Sequence, residues 1–177
     1  MTTKILVTFA SPGGATAGVA AAIGQKLASA GAEVDVRSIN EVTDLSAYQA
    51  FIIGSAIHGG RWMPEAMAFI ERHHDILQQM PTAVFQVCMM LATHNEQYKK
   101  LVPGWFAPIR SQIRPVAEGS FSGALQPGKY PKLIEKLGLR IFLAAIKLKA
   151  GDYRDWDAIR TWTDSVSPLL ISKGDNG

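Results

Sequence analysis

Short apolar runs rich in β-branched residues alternate with helically periodic segments from the first residues onward, and that alternation admits few folds. Successive parallel strands need a crossover of a dozen or more residues, which a helix supplies. Strands are predicted at Lys4 to Phe9, Glu33 to Ser38, Ala50 to Gly54, Thr82 to Met89, and near Val116 to Gly123. Between the first two, Thr16 to Ala30 sets Val19, Ile23 and Leu27 on one helical face and stops at Gly31. A second helix is expected to start at Pro64, turn Met67, Ile70 and Leu77 inward, and stop at Pro81. A last helix begins near Asp155 or Asp157 and uses Ile159, Trp162 and Val166 as its apolar stripe. The expected architecture is α/β: a doubly wound, five-stranded parallel sheet of order 2-1-3-4-5, with helices on both faces.

Nothing divides the chain. It has no internal repeat, low-complexity tract or linker, so one domain over residues 1–172 is expected, followed by a frayed polar tail at 173–177. The sole cysteine, Cys88, lies in the apolar run Ala83 to Leu91 and reads as a buried small hydrophobe. One cysteine makes neither an intrachain disulfide nor a multi-cysteine metal site, so no metal is expected and a reducing compartment is. Met1 to Thr8 lacks the regions of a secretory signal, and no apolar stretch reaches the roughly 20 residues that span a bilayer. The expected location is the cytoplasm. His73 and His74 fall in a helical segment and read as surface residues.

The informative segment is Ser11-Pro12-Gly13-Gly14-Ala15-Thr16, between the first strand and the first helix. Small residues there let backbone N–H groups converge on an anion at the positive end of a helix. The segment has neither the lysine of a nucleoside-triphosphate loop nor the third glycine of a dinucleotide fingerprint, which favours a monophosphate. The alternative is a tight strand-to-helix turn with no ligand. Two further loops follow neighbouring strands. Gly54 to Trp62 carries Ser55, Ala56, Ile57, His58 and Gly59; Met89 to His94 carries Met90, Leu91, Ala92 and Thr93. In the predicted order these turns share one crevice at the carboxyl edge of the sheet, where such folds bind ligands. Trp62 is set either against a flat ring or against its own domain. His58 is a weak catalytic candidate against the commoner reading of an exposed loop histidine, and the methionines wall a pocket or fill the core.

In their order, the phosphate-loop segment and Gly54-Ser55-Ala56-Ile57 with its aromatic glycine loop resemble the flavodoxins. The second half is similar to the menaquinone-dependent protoporphyrinogen oxidases, through Phe121-Ser122-Gly123-Ala124-Leu125, a Pro/Tyr/Lys-rich stretch, a basic apolar helix and Tyr153-Arg154-Asp155-Trp156. That resemblance implies FMN, with Ser11, Gly14 and Thr16 on its phosphate and the loops at Ser55 to Trp62 and Met89 to Thr93 beside its ring. It also implies oxidation of an organic donor, a porphyrinogen in that family, with a quinone as acceptor. Pro12 and Gly13 stand where the family often has hydroxyl or polar side chains, and the chain before Tyr153 looks shorter. Two other readings remain: an electron carrier serving a protein partner, and a cofactor-free interaction module.

Charge is distributed unevenly. Residues 1–98 carry five Lys/Arg against eight Asp/Glu, and between Lys99 and Lys149 ten basic residues face only Glu118 and Glu135. A helix within Lys129 to Lys149 places Lys132, Lys136, Arg140 and Lys147 among aliphatic residues. This suits the anionic cytoplasmic face of the inner membrane, or else burial in the domain or in a homodimer contact. Nucleic acid is disfavoured, because no reading motif accompanies the charge.

Overall fold

A computed structural model describes residues 2–93, 95–125, 133–145 and 147–171. The chain runs β1 (Lys4–Ala10), α1 (Ala15–Ser29), β2 (Glu33–Ser38), β3 (Ala50–His58), β4 (Arg61–Trp62), α2 (Pro64–Arg72), α3 (His74–Gln79), β5 (Thr82–Val87), α4 (Glu96–Leu101), α5 (Ala107–Arg110), β6 (Ala117–Phe121), β7 (Ala124–Leu125), α6 (Leu133–Ala145), β8 (Gly151–Asp152) and α7 (Trp156–Leu170). Five strands pair in parallel in the order β2-β1-β3-β5-β6, which is the predicted winding. Two short pairings were not anticipated: β4 folds back on the end of β3, and β7 and β8 form a separate antiparallel ribbon.

Alternation along each strand builds two cores, because successive side chains leave opposite faces of the sheet. Ile5, Val7, Ile52, Ala83 and Phe85 meet α1 and α7 through Val19, Ile23, Leu27, Ile159 and Val166. Leu6, Phe51, Ile53 and Val84 meet the other layer through Phe69, Ile70, Leu77 and Ile109. Strands buried on both faces read as nearly continuous apolar runs, which is why β1, β3 and β5 stand out in the sequence.

The helix expected from Pro64 to Pro81 is two helices that meet at His73, whose ψ of 17° leaves helical geometry. His73 is not the surface residue expected. Its ring tilts over Phe69 at 4.6 Å between centroids, and its Nε2 is buried without a hydrogen-bond partner. Burial and the neighbouring Arg72 hold its pKa below 6.5, and Asp44 opposes them only in part. The basic helix narrows to Leu133–Ala145. Lys129 and Lys132, together with His94 and the tail at 173–177, lie outside the described residues.

Candidate functional site

Three turns leave the carboxyl ends of adjacent strands β1, β3 and β5, whose last paired residues include Ala10 beside Ser55 and Ala56 beside Val87. A cleft of about 940 Å³ opens between them, at the upper end of what small-molecule sites occupy. Ser11, Pro12, Gly13, Ala15 and Thr16 form one end, Ala56 to Gly60 one wall, and Val87 to Met90 its floor.

The first turn presents backbone donors to the cleft. Gly14 holds the N-cap of α1 at φ +82°, a conformation L side chains rarely adopt, and as a glycine it supplies no capping side chain of its own. The first helical N–H groups have no intrahelical acceptor and point out of the helix end. Ser11 Oγ accepts from Ala17 N at 3.3 Å, which leaves its hydroxyl proton free to be donated elsewhere. Thr16, only 1% exposed, lines the same end.

The far wall comes from a segment the sequence reading passed over. Tyr98, Leu101 and Trp105 line the cleft from α4 and the 3-10 turn Val102–Phe106. Their spacing of three and four residues is the helical signal that marks them as one face. Trp105 lies on the β3–β4 hairpin: its indole Nε1 is 3.1 Å from where a Cβ on Gly60 would stand, and Gly60 has φ +74°. Gly123, Ala124, Leu125 and Gly138 close the remaining side.

Trp62 does not take that place. It is 5% exposed, packs edge-on to Phe106, and donates from Nε1 to Gln86 Oε1 at 3.1 Å. Pairing of β4 with β3 turns its ring into the core, away from the cleft. Ser55 is likewise fully buried. Its Oγ donates to Ala56 O at 2.8 Å and accepts from Met63 N at 2.9 Å, so it shapes the hairpin without lining the cleft. Leu91, Ala92 and Thr93 follow Met90 in a 3-10 turn outside the lining, where Thr93 Oγ1 donates back to Met90 O at 2.7 Å. His58 is exposed on the rim. Cys88 lines the floor but is 4% exposed, and burial pushes its thiol pKa up, which suits packing better than nucleophilic attack.

Nothing in this lining is permanently charged. It offers backbone N–H groups and hydroxyls at one end and aliphatic, thioether and aromatic surface along the rest. Those donors fit a planar aromatic ring system carrying a phosphate. Among the described residues there is no cluster of potential metal ligands.

Comparison with known proteins agrees with the winding. A family model described as a flavodoxin domain matches residues 6–143. Protoporphyrinogen IX dehydrogenase (quinone) of Escherichia coli strain K12 is 21% identical over 178 residues, covering 94% of this chain and 96% of that protein. The protein of that name from Leishmania major is 23% identical over 154 residues, covering 78% and 62%. Among solved structures, the Streptococcus pneumonia TIGR4 flavodoxin superposes with a TM-score of 0.59 at 18% identity, covering 94% of this chain and 97% of that one. Oxidised flavodoxin 1 of Bacillus cereus gives 0.51 at 20% identity, covering 82% and 97%.

Proposed function

We propose, from the premise that this chain belongs to the flavodoxin domain family, that its cleft holds FMN and that the protein oxidises an organic donor, a porphyrinogen-like molecule, at the expense of a quinone. The observation that supports this most directly is the convergence of two small-residue turns and an apolar third on one cleft without permanent charge, with uncapped backbone N–H groups at its helix end. The similarity to relatives named for porphyrinogen and quinone chemistry supports the donor and acceptor classes.

On this reading Ser11, Thr16 and the backbone of residues 12–16 hold the phosphate, while Ala56 to Gly60, Met89, Met90, Tyr98 and Trp105 flank the ring. Bound flavin supplies hydride and single-electron exchange, chemistry no side chain here supplies alone. The protein contributes position, an apolar wall that keeps water from the ring, and aromatic faces for a flat ligand. His58, exposed on the rim, is the candidate on this reading for contact with an incoming substrate.

The acceptor side points to a membrane. Leu137 and Ile141 of α6 are 59% and 63% exposed, Leu101 is 56% exposed, and Arg140, Lys147 and Lys149 are exposed nearby in the sequence. An apolar rim beside a cleft, flanked by cations, suits the surface of an anionic bilayer, where quinones reside.

The test is spectroscopic. The purified protein, reconstituted with FMN, is expected to bleach anaerobically with a porphyrinogen donor and to recover its colour with a quinone. Recovery only with a reductase partner, and no turnover of small substrates, would instead make it an electron carrier. Failure to bind FMN would make it an interaction module.

A further inference from the structure

From Ile5 through Gln25 the chain holds no charged residue, and no Lys or Arg lines the cleft among the described residues. Among the described residues, a phosphate at the head of α1 therefore meets dipoles only, unless charge reaches it from behind the lining. Among the described residues, Arg154 lies behind that end. β8 pairs with β7, Tyr153 N donates to Gly123 O at 3.0 Å, and Asp155 caps α7 by accepting from Ala158 N at 2.9 Å. The link between these anchors is a single residue, Arg154, and its side chain turns inward to 15% exposure.

Three contacts hold the guanidinium against the first turn of α1. Its plane covers the Trp156 ring at 4.5 Å. Nε and Nη2 form a fork on the Asp152 carboxylate at 2.8 and 2.6 Å. Nη1 lies on the helix itself, 3.5 Å from Ala15 O and 2.2 Å from where a Cβ on Gly18 would stand, so a side chain at 18 would displace the guanidinium from this position. A cation at the positive end of a helix opposes the helix dipole and is favourable there when an anion binds at the same end. The 3.5 Å contact is too long to hold it there alone.

Resting on the FMN reading above, we propose that Arg154 is a positioning residue that charges the phosphate end of the cleft across the first turn of α1 and selects the phosphorylated flavin over riboflavin. Loss of its charge weakens FMN and leaves riboflavin almost untouched. A brace of the ring wall would weaken both alike, since both share the ring. A purely structural brace of the helix end is told apart by Arg154→Lys, which keeps the charge and is expected to retain the preference for FMN that Arg154→Gln loses.

The experiment measures FMN and riboflavin affinity by flavin fluorescence quenching on flavin-free full-length protein, for the wild type, Arg154→Gln, Arg154→Lys and Gly18→Ala. Gly18→Ala keeps the charge in the chain but evicts it from the helix, and it favours the helix by propensity, so it protects the test if Arg154→Gln fails to fold. Arg154→Gln and Gly18→Ala are both expected to lose FMN affinity by about three- to tenfold, as for a charge that acts at a distance and is partly offset by Asp152, with riboflavin changed less than about twofold. Equal losses for the two flavins, or no loss, would overturn the role of Arg154 while leaving the FMN site intact. Wild-type protein that binds neither flavin would overturn the FMN reading and this inference with it.

Discussion

Trp62 Nε1 donates to Gln86 Oε1 at 3.1 Å across β4 and β5, with both side chains buried. Gln86 is fully enclosed and spends its amide on Val102 O at 2.8 Å and Ser120 Oγ at 3.1 Å. One buried amide thus joins the hairpin, the 3-10 turn that carries Trp105, and β6. Gln86→Leu would strand the Trp62 donor and the Val102 acceptor in a dry interior, at about 1–3 kcal/mol for each stranded group. Urea unfolding is expected to show that loss. A variant as stable as the wild type would mean that water serves those groups equally well.

How much of this was legible in the sequence follows from the range of the forces involved. Nearly continuous apolar runs mark β1, β3 and β5, and an alternating one marks β2, to within a few residues because strand burial is written locally. Two of the three turns are legible through their glycines, Gly13-Gly14 and Gly59-Gly60; the turn after β5 has none and shows only as the end of an apolar run. The choice between Trp62 and Trp105 is not, since both are tryptophans within five residues of a glycine pair or Pro-Gly step; what separates them is an acceptor 24 residues away on another strand. The break at His73 is equally silent, with no glycine or proline between Pro64 and Pro81 to announce it.

Gly54 lies against the face of Phe85, and a Cβ there would come within 2.1 Å of the ring. Phe85 has nowhere to go: it is fully buried beside Phe121 and Trp162, at 6.2 and 6.4 Å between centroids. Gly54→Ala is expected to cost about 1–3 kcal/mol through overpacking. Combining it with Phe85→Leu should recover part of that loss, with a coupling of about 0.5–3 kcal/mol in a double-mutant cycle. Strict additivity would show that the backbone, not the ring, absorbs the strain.

His73 should make stability depend on pH. Burial and Arg72 keep its folded pKa below 6.5, so the unfolded chain takes up the proton first as pH falls. The stability that depends on a neutral ring is complete above about 6.5 and is lost as pH descends through the lower, folded value. Thermal melts of His73→Phe, which keeps the packing on Phe69 but cannot titrate, should lose less stability than wild type between about pH 8 and pH 5. Parallel profiles for the two proteins would place the acid sensitivity elsewhere.

Leu137 and Ile141 stand one helical turn apart and face solvent, while Leu143 on the same helix is 6% exposed and faces inward. A helix that buries one stripe and exposes another, with Arg140 among the exposed residues, has the form of an interfacial element. If that stripe seats the proposed membrane contact, wild-type protein should float with phosphatidylglycerol vesicles, float poorly with phosphatidylcholine, and be released near 1 M salt, where the Debye length shrinks to about 3 Å. Arg140→Glu reverses one charge worth about 1 kcal/mol near such a surface and should weaken flotation severalfold. Leu137→Glu with Ile141→Glu should abolish it without altering thermal stability, since both side chains already face water. Undiminished flotation of that double variant would move the contact to another face of the protein, and with it the route by which a quinone reaches the cleft.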